Sequence, residues 1–125
     1  MDGGHEAMAR LLDKAVRPTA VLTSNDMTAI GAMGAIFERG LKVPQDISLI
    51  GFDDIELSAF TQPGLTTVRL SRQEIAKIAF RALYDVKLNA SAKGAEFTIQ
   101  PTLIERKSTG PVAARRGTKH PVQSS

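Results

Sequence analysis

From Gly40 to Asp54 the chain reads GLKVPQDISLIGFDD, and four structural signals follow one another in it. Gly40 supplies the left-handed residue that stops a helix, and Leu41 is the apolar residue that folds back over the stop in a Schellman motif. Val43-Pro44-Gln45-Asp46 turns the chain. Ile47-Ser48-Leu49-Ile50-Gly51-Phe52 is an apolar run of strand length, of the kind a parallel sheet buries on both faces. Asp53 and Asp54 end it with two adjacent carboxylates.

The same grammar extends upstream. Met27 to Arg39 places Met27, Ile30, Met33 and Phe37 on one side of a helix. Ser24-Asn25-Asp26 is the polar break before it, with Asp26 expected as a helix cap. Thr19-Ala20-Val21-Leu22-Thr23 is a second short, β-branched strand, expected to be buried. His5 to Ala15 carries Ala7, Met8, Leu11, Leu12 and Ala15 at helical spacing, and Arg17-Pro18 closes that helix.

Downstream, Glu56 to Phe60 is short and helical, and Gln62-Pro63-Gly64 is a turn. Leu65 to Leu70 is a third strand. Ser71 and Glu74 have capping-box spacing and open the longest helix, to about Leu88, with Ile75, Ile78, Ala79, Ala82, Leu83 and Val86 on one face. Asn89 to Gly94 is a polar turn whose Asn-Ala-Ser sequon is read as chance. Phe97 to Glu105 alternates weakly as a last strand interrupted by Pro101. Alternation of strand and helix predicts an α/β fold with a parallel sheet, flanking helices and right-handed crossovers.

Composition limits the function. The chain has 125 residues, 42% of them hydrophobic and none of them cysteine, which excludes a disulfide scaffold and any thiolate metal site. No apolar run reaches the roughly 20 residues of a membrane span, and Met1 to Glu6 lacks the features of a signal peptide. The chain opens almost directly on a helix, as a piece of a longer gene product would. The net charge of +3 is uneven. From Glu105 onward there are five bases (Arg106, Lys107, Arg115, Arg116, Lys119) against one acid, so the rest holds eleven bases against twelve acids. The body therefore offers no phosphate-binding surface. Residues 1–110 are expected to form the folded unit and residues 111–125 a disordered basic tail.

Ligand sites in open α/β sheets lie at the carboxyl ends of strands. Two such ends are polar here, Ser24-Asn25-Asp26 and Asp53-Asp54. The combination of LTSND (Leu22 to Asp26), GLKVPQDISLIGFDD, PGLTTVR (Pro63 to Arg69) and PTLIERKSTGP (Pro101 to Pro111) resembles the LacI/GalR repressor family, in its order and spacing, from about Gly3 to Pro111.

The resemblance implies part of a two-lobed, periplasmic-binding-protein-like (type I) sensor, a dimer that binds a sugar or nucleobase-like effector between its lobes. Operator DNA would be held only by an N-terminal helix-turn-helix that this chain does not contain. It implies cytoplasmic location, no cofactor, no membrane and no enzymatic activity. On this reading the fold here is incomplete: Gly3 to Val68 and Pro101 to about Thr109 belong to the C-terminal lobe, and the helix after Ser71 and the strand near Phe97 are pieces of the N-terminal lobe. Arg69-Leu70 and Gln100-Pro101 are then the hinge crossovers. A periplasmic-type solute-binding protein for transport or chemotaxis is the alternative.

Asp53 is the first expected effector contact, since a carboxylate at a strand end accepts two hydrogen bonds from sugar hydroxyls or a purine edge; the competing reading is a solvated loop acid or a helix cap. Asn25 is the second, on the family match. Asp54 is expected to be structural, capping the next turn. By the same resemblance Ile30, Met33, Gly34 and Phe60 form the dimer interface, with Gly31, Gly34 and Ala35 small enough to permit close approach; an apolar helical stripe is equally a core stripe. His5 and His120 have no companions at metal-ligand spacing. An Asp53–Asp54 acid/base pair is conceivable, but adjacent side chains diverge and no nucleophile motif accompanies them.

Overall fold

The structure is a computed structural model that describes residues 1–88 and 96–112, with the side chains of residues 86–88 omitted. The Asn89–Gly94 turn with its sequon, and the tail containing Arg115, Arg116, Lys119 and His120, lie outside the described residues. The elements are α1 (Asp2–Leu12), β1 (Ala20–Leu22), α2 (Asp26–Glu38), β2 (Ser48–Phe52), α3 (Leu57–Phe60), β3 (Thr66–Arg69), α4 (Arg72–Leu88) and β4 (Thr102–Ile104). The sheet runs β1-β2-β3-β4.

The Gly40 stop forms as its sequence requires. Gly40 has φ +68, its amide bonds to the Phe37 carbonyl, and the Leu41 amide reaches back to the Ile36 carbonyl at 3.1 Å. That pair of bonds satisfies two of the carbonyls left open at the end of α2. The Asp46 carboxylate accepts from the Lys42 amide at 2.8 Å and closes the turn into β2. β1 and β2 pair in parallel with Val21 opposite Leu49, and β2 and β3 in parallel with Gly51 opposite Thr67.

Three sequence expectations need correction. β4 is antiparallel to β3, so the sheet is mostly and not wholly parallel. It is also short: Phe97 is exposed, and pairing begins only past Pro101, which has no amide to donate. β1 is not buried; it is the sheet edge, with Ala20 and Leu22 exposed.

The first helix begins earlier than its apolar spacing suggests, with Gly3 and Gly4 inside it. Packing explains this. A Cβ at Gly4 would overlap the Thr28 carbonyl of α2, and one at Gly31 would overlap the Met1 carbonyl of α1. Two glycines thus let the helices touch backbone to backbone, a tertiary gain that outweighs glycine's low helix propensity. α2 packs on both α1 and β2. Met8, Leu12, Ala29, Ala32, Met33, Ala35, Ile36, Val43, Ile47, Leu49 and Leu65 form the core between them. Each fully buried Leu or Ile among these contributes about 1.5–3 kcal/mol of transfer free energy.

A polar stitch fastens the segment after β4 under the sheet. Ser108 is fully buried; its hydroxyl donates to the Leu49 carbonyl at 2.6 Å and accepts from the Thr66 amide at 2.8 Å, while the Leu49 amide bonds to the Ser108 carbonyl. Ser108→Ala strands the Thr66 amide and should lower stability by about 1–3 kcal/mol. Urea unfolding of the variant beside wild type measures it; a loss below about 0.5 kcal/mol would mean that the stitch is dispensable.

α4 behaves differently from the rest. Ser71 caps it, its hydroxyl accepting from the Glu74 amide at 3.2 Å. Yet among the described side chains of its expected apolar face only Ile78 and Ala82 are half-buried, while Leu83 and, beyond that face, Phe80 are each more than 70% exposed. Phe80 stacks on Tyr84 one turn later, with ring centroids 6.1 Å apart. Among the described residues α4 has no substantial packing partner.

Candidate functional site

The carboxyl ends of β2 and β3 lie side by side, and the chain makes its sharpest backbone excursion there. Asp53 and Asp54 have φ 107 and φ 48, left-handed values that non-glycine residues rarely adopt, and here they are consecutive. Strain of this kind persists only where surrounding bonds hold it, and it clusters at ligand sites. The Asp53 amide continues the ladder to the Val68 carbonyl at 2.9 Å, while its side chain stands exposed. None of the ion pairs among the described residues uses the Asp53 carboxylate. It lines an open basin of about 590 Å³ with Asp54, Glu56, Arg69, Leu70, Ser71, Arg72 and Gln73.

Asp54 is engaged differently: its side chain also borders the basin but is nearly closed off by its partners. It is 8% exposed and is gripped by two guanidinium groups: Arg106 donates to Oδ1 at 2.7 Å and Arg69 donates through Nε to Oδ2 at 2.6 Å. Arg106 also donates to the Leu65 carbonyl at 2.8 Å. Asp54 is therefore structural, as expected, but as an arginine clamp and not as a cap. Burial by itself pushes its carboxyl up; the hydrogen bonds from Arg106 and Arg69 and their charges outweigh that and hold it below the usual carboxylate range. A lowered carboxyl adds stability that is fully present above its unfolded value, roughly pH 4, and is lost as pH falls through the lower folded value. Wild type should thus be more stable than Asp54→Asn at pH 6, with the gap closing towards pH 2. A gap unchanged over that range would contradict the clamp.

Asn25 takes the cap role expected of Asp26, and Asp26 turns inward. Asn25 is the N-cap of α2, its Oδ1 accepting from the Thr28 amide at 2.8 Å, which leaves the amide NH2 group unused by the cap. Asp26 is not a cap. It is fully buried, with Oδ2 accepting from the Ile55 amide at 2.9 Å and from Ser58 Oγ, and Oδ1 accepting from Thr67 Oγ1. Gly51 makes room for it, because a Cβ there would overlap Asp26 Oδ1.

The structure thus brings Asp53, Arg69 and Leu70 around one basin, and Asn25 does not line it. β3 and β4 pair Arg69 with Thr102, so Leu70 and Pro101, with Gln100 behind it, lie at the same end of the sheet. Ile30 and Gly34 line a separate hollow of about 400 Å³ with Met1, Asp2, His5 and Glu6, and Phe60 is exposed on α3. Met33 is a correction: it is 4% exposed and belongs to the chain's own core, leaving no surface for a second chain. Gly31 and Ala35 are likewise spent within the chain, Gly31 against α1.

His5 pairs with Glu38 at 2.8 Å. Among the described residues no group of three or more His, Cys, Asp or Glu is placed to hold a metal ion, and no helix is long and apolar enough to cross a membrane.

The two-residue carboxylate turn stands at the carboxyl ends of parallel strands, where ligand sites of open α/β sheets lie. Residues 2–109 match the family described as a periplasmic binding protein-like domain, and the chain belongs to that family. Its relatives within it are LacI-type repressors. The HTH-type transcriptional repressor PurR of Mannheimia succiniciproducens is 41% identical over 112 residues, 90% of this chain and 34% of that protein. The lac repressor dimer bound to operator and the anti-inducer ONPF superposes with a TM-score of 0.77 at 35% identity, covering 85% of this chain and 37% of that one. A LacI family transcriptional regulator from Enterococcus faecium with bound ribose gives 0.76 at 31% identity, covering 88% and 40%. The chain spans about a third of the length of the curated relatives it matches.

Proposed function

We propose that the chain is the effector-binding and dimerisation part of a LacI-type transcriptional repressor, with Asp53 as the principal effector contact and Asn25 as a second. The observation that carries this reading is the Asp53 carboxylate: exposed, outside every ion pair among the described residues, and held in a left-handed backbone at the edge of the basin beyond the carboxyl ends of β2 and β3. Polyhydroxyl or nucleobase-like ligands suit it, because both offer donors in pairs. Arg69-Leu70 and Gln100-Pro101 act as the hinge, and Ile30, Gly34 and Phe60 remain the candidates for the dimer face.

The repressor reading is favoured over a transport protein by the names of the relatives, which are transcriptional repressors and regulators. Cytoplasmic location and absence of enzymatic activity follow from the same reading. Calorimetric titration of the intact protein with D-ribose, sucrose and hypoxanthine tests it. Saturable binding of one of them, accompanied by a change in DNA affinity, supports the repressor. Binding with no specific DNA affinity at all supports the transport alternative.

A further inference from the structure

We infer that Asp26 is the positioning residue of the effector turn: from the first residue of α2 it holds the strained Asp53–Asp54 backbone in the form that presents the Asp53 carboxylate to the basin. This rests on the proposed role of Asp53. Two left-handed residues in succession do not hold themselves, and the bonds that brace this turn from below converge on Asp26. Its Oδ2 takes the Ile55 amide, the first amide beyond the turn, at 2.9 Å. Its Oδ1 takes the Thr67 hydroxyl, and that hydroxyl oxygen in turn faces the Asp54 amide at 3.4 Å. Asp53 itself is anchored only to β3 through its own amide.

The arrangement is built for the carboxylate. Gly51, inside an apolar strand where any side chain would overlap Asp26 Oδ1, leaves the space it occupies. Ser58, on α3, supplies the third donor, so both carboxylate oxygens face donors and the group is fully buried with no ion pair among the described residues. Asp26 also belongs to the helix whose Ile30 and Gly34 line the separate hollow. Asp26 thus ties the turn to the N-terminus of α2, the proposed dimer helix.

The three donors allow a matched test. Thr67→Val removes the hydroxyl that links Asp26 to the Asp54 amide; Ser58→Ala removes a hydroxyl that bonds the same carboxylate, at Oδ2, but no amide of the turn. Amide hydrogen exchange is measured on the full chain for wild type, both variants and Asp26→Asn. Thr67→Val and Asp26→Asn should raise exchange at Asp54 and Ile55 by about tenfold relative to Leu49 and Gly51, the loss of roughly one hydrogen bond locally. Ser58→Ala should leave that ratio unchanged.

Equal acceleration at all four amides in Thr67→Val, or the same ratio in Ser58→Ala, would reduce Asp26 to a general stabiliser and overturn the inference. If Asp26→Asn does not fold, the Thr67→Val and Ser58→Ala pair decides alone. D-ribose titration of the same variants in the intact protein keeps the two claims apart. Ribose binding unaffected by Asp53→Asn removes the effector role of Asp53, whatever the exchange data show about Asp26.

Discussion

Asp53→Asn in the intact protein should weaken effector binding by tenfold to over a hundredfold while leaving the fold and effector-free DNA binding nearly unchanged. The carboxylate is exposed and takes part in none of the ion pairs among the described residues, so the fold does not depend on its charge. Replacing one oxygen by an amide nitrogen puts a donor where the ligand presents donors. Loss of a charge-assisted hydrogen bond is worth about 1.5–3 kcal/mol, which sets the size of the affinity change. Asp54→Asn should show the opposite profile, because its partners are Arg69 and Arg106 and not solvent. It should lower stability and keep affinity within about threefold. Calorimetry and thermal melts on both variants separate the two. Wild-type affinity in Asp53→Asn, or equal losses at the two positions, would remove the site from this turn.

Asp26→Ala should be the most destabilising single substitution considered, at about 2–4 kcal/mol. It leaves the Ile55 amide and the Ser58 and Thr67 hydroxyls facing an empty space in a region closed to water. The hydroxyls can rotate towards other acceptors, but the amide cannot. A domain of ordinary stability has only 5–15 kcal/mol in total, so such a loss is visible as a large fall in urea midpoint. A change below about 1 kcal/mol would show that water or a shifted side chain replaces the carboxylate.

The contrast between these two aspartates marks what could be read from residue order. The strands were legible because apolar runs bounded by Gly, Pro and carboxylates leave few alternatives, and the Gly40 stop formed bond for bond. The exposed place of Asp53 just past β2 was legible because the apolar run stops at two carboxylates. Asp26 was not, because Asn25 and Asp26 are both good caps and nothing local says which one turns inward. One signal was available: Gly51 in the middle of an apolar strand implies something pressing close to the backbone.

Arg106 was hidden for a different reason. It stands in Glu105-Arg106-Lys107, at the expected end of the last strand, where a charged triplet gives no sign of a half-buried member. The period-two pattern is nevertheless there: Ile104, Arg106 and Ser108 are half-buried or buried, while Glu105 and Lys107 are exposed. The direction of β4 had no local signal at all, since parallel and antiparallel edges differ in connection and not in composition. Met33 shows the limit of periodicity, because an apolar helical stripe looks the same whether it faces the chain's own core or a second chain.

The most direct test of the central claim is the specific DNA affinity of the intact protein with and without the ligand identified by titration. An operator would first be selected from random DNA, and binding then measured at physiological salt, where non-specific phosphate contacts are weak. If this chain is the sensor of a repressor, ligand should change affinity for that one sequence by about 5- to 150-fold, and the DNA should change ligand affinity by the same factor. Specific DNA binding that ligand leaves unaltered, or ligand binding by a protein that retains no sequence, would contradict it.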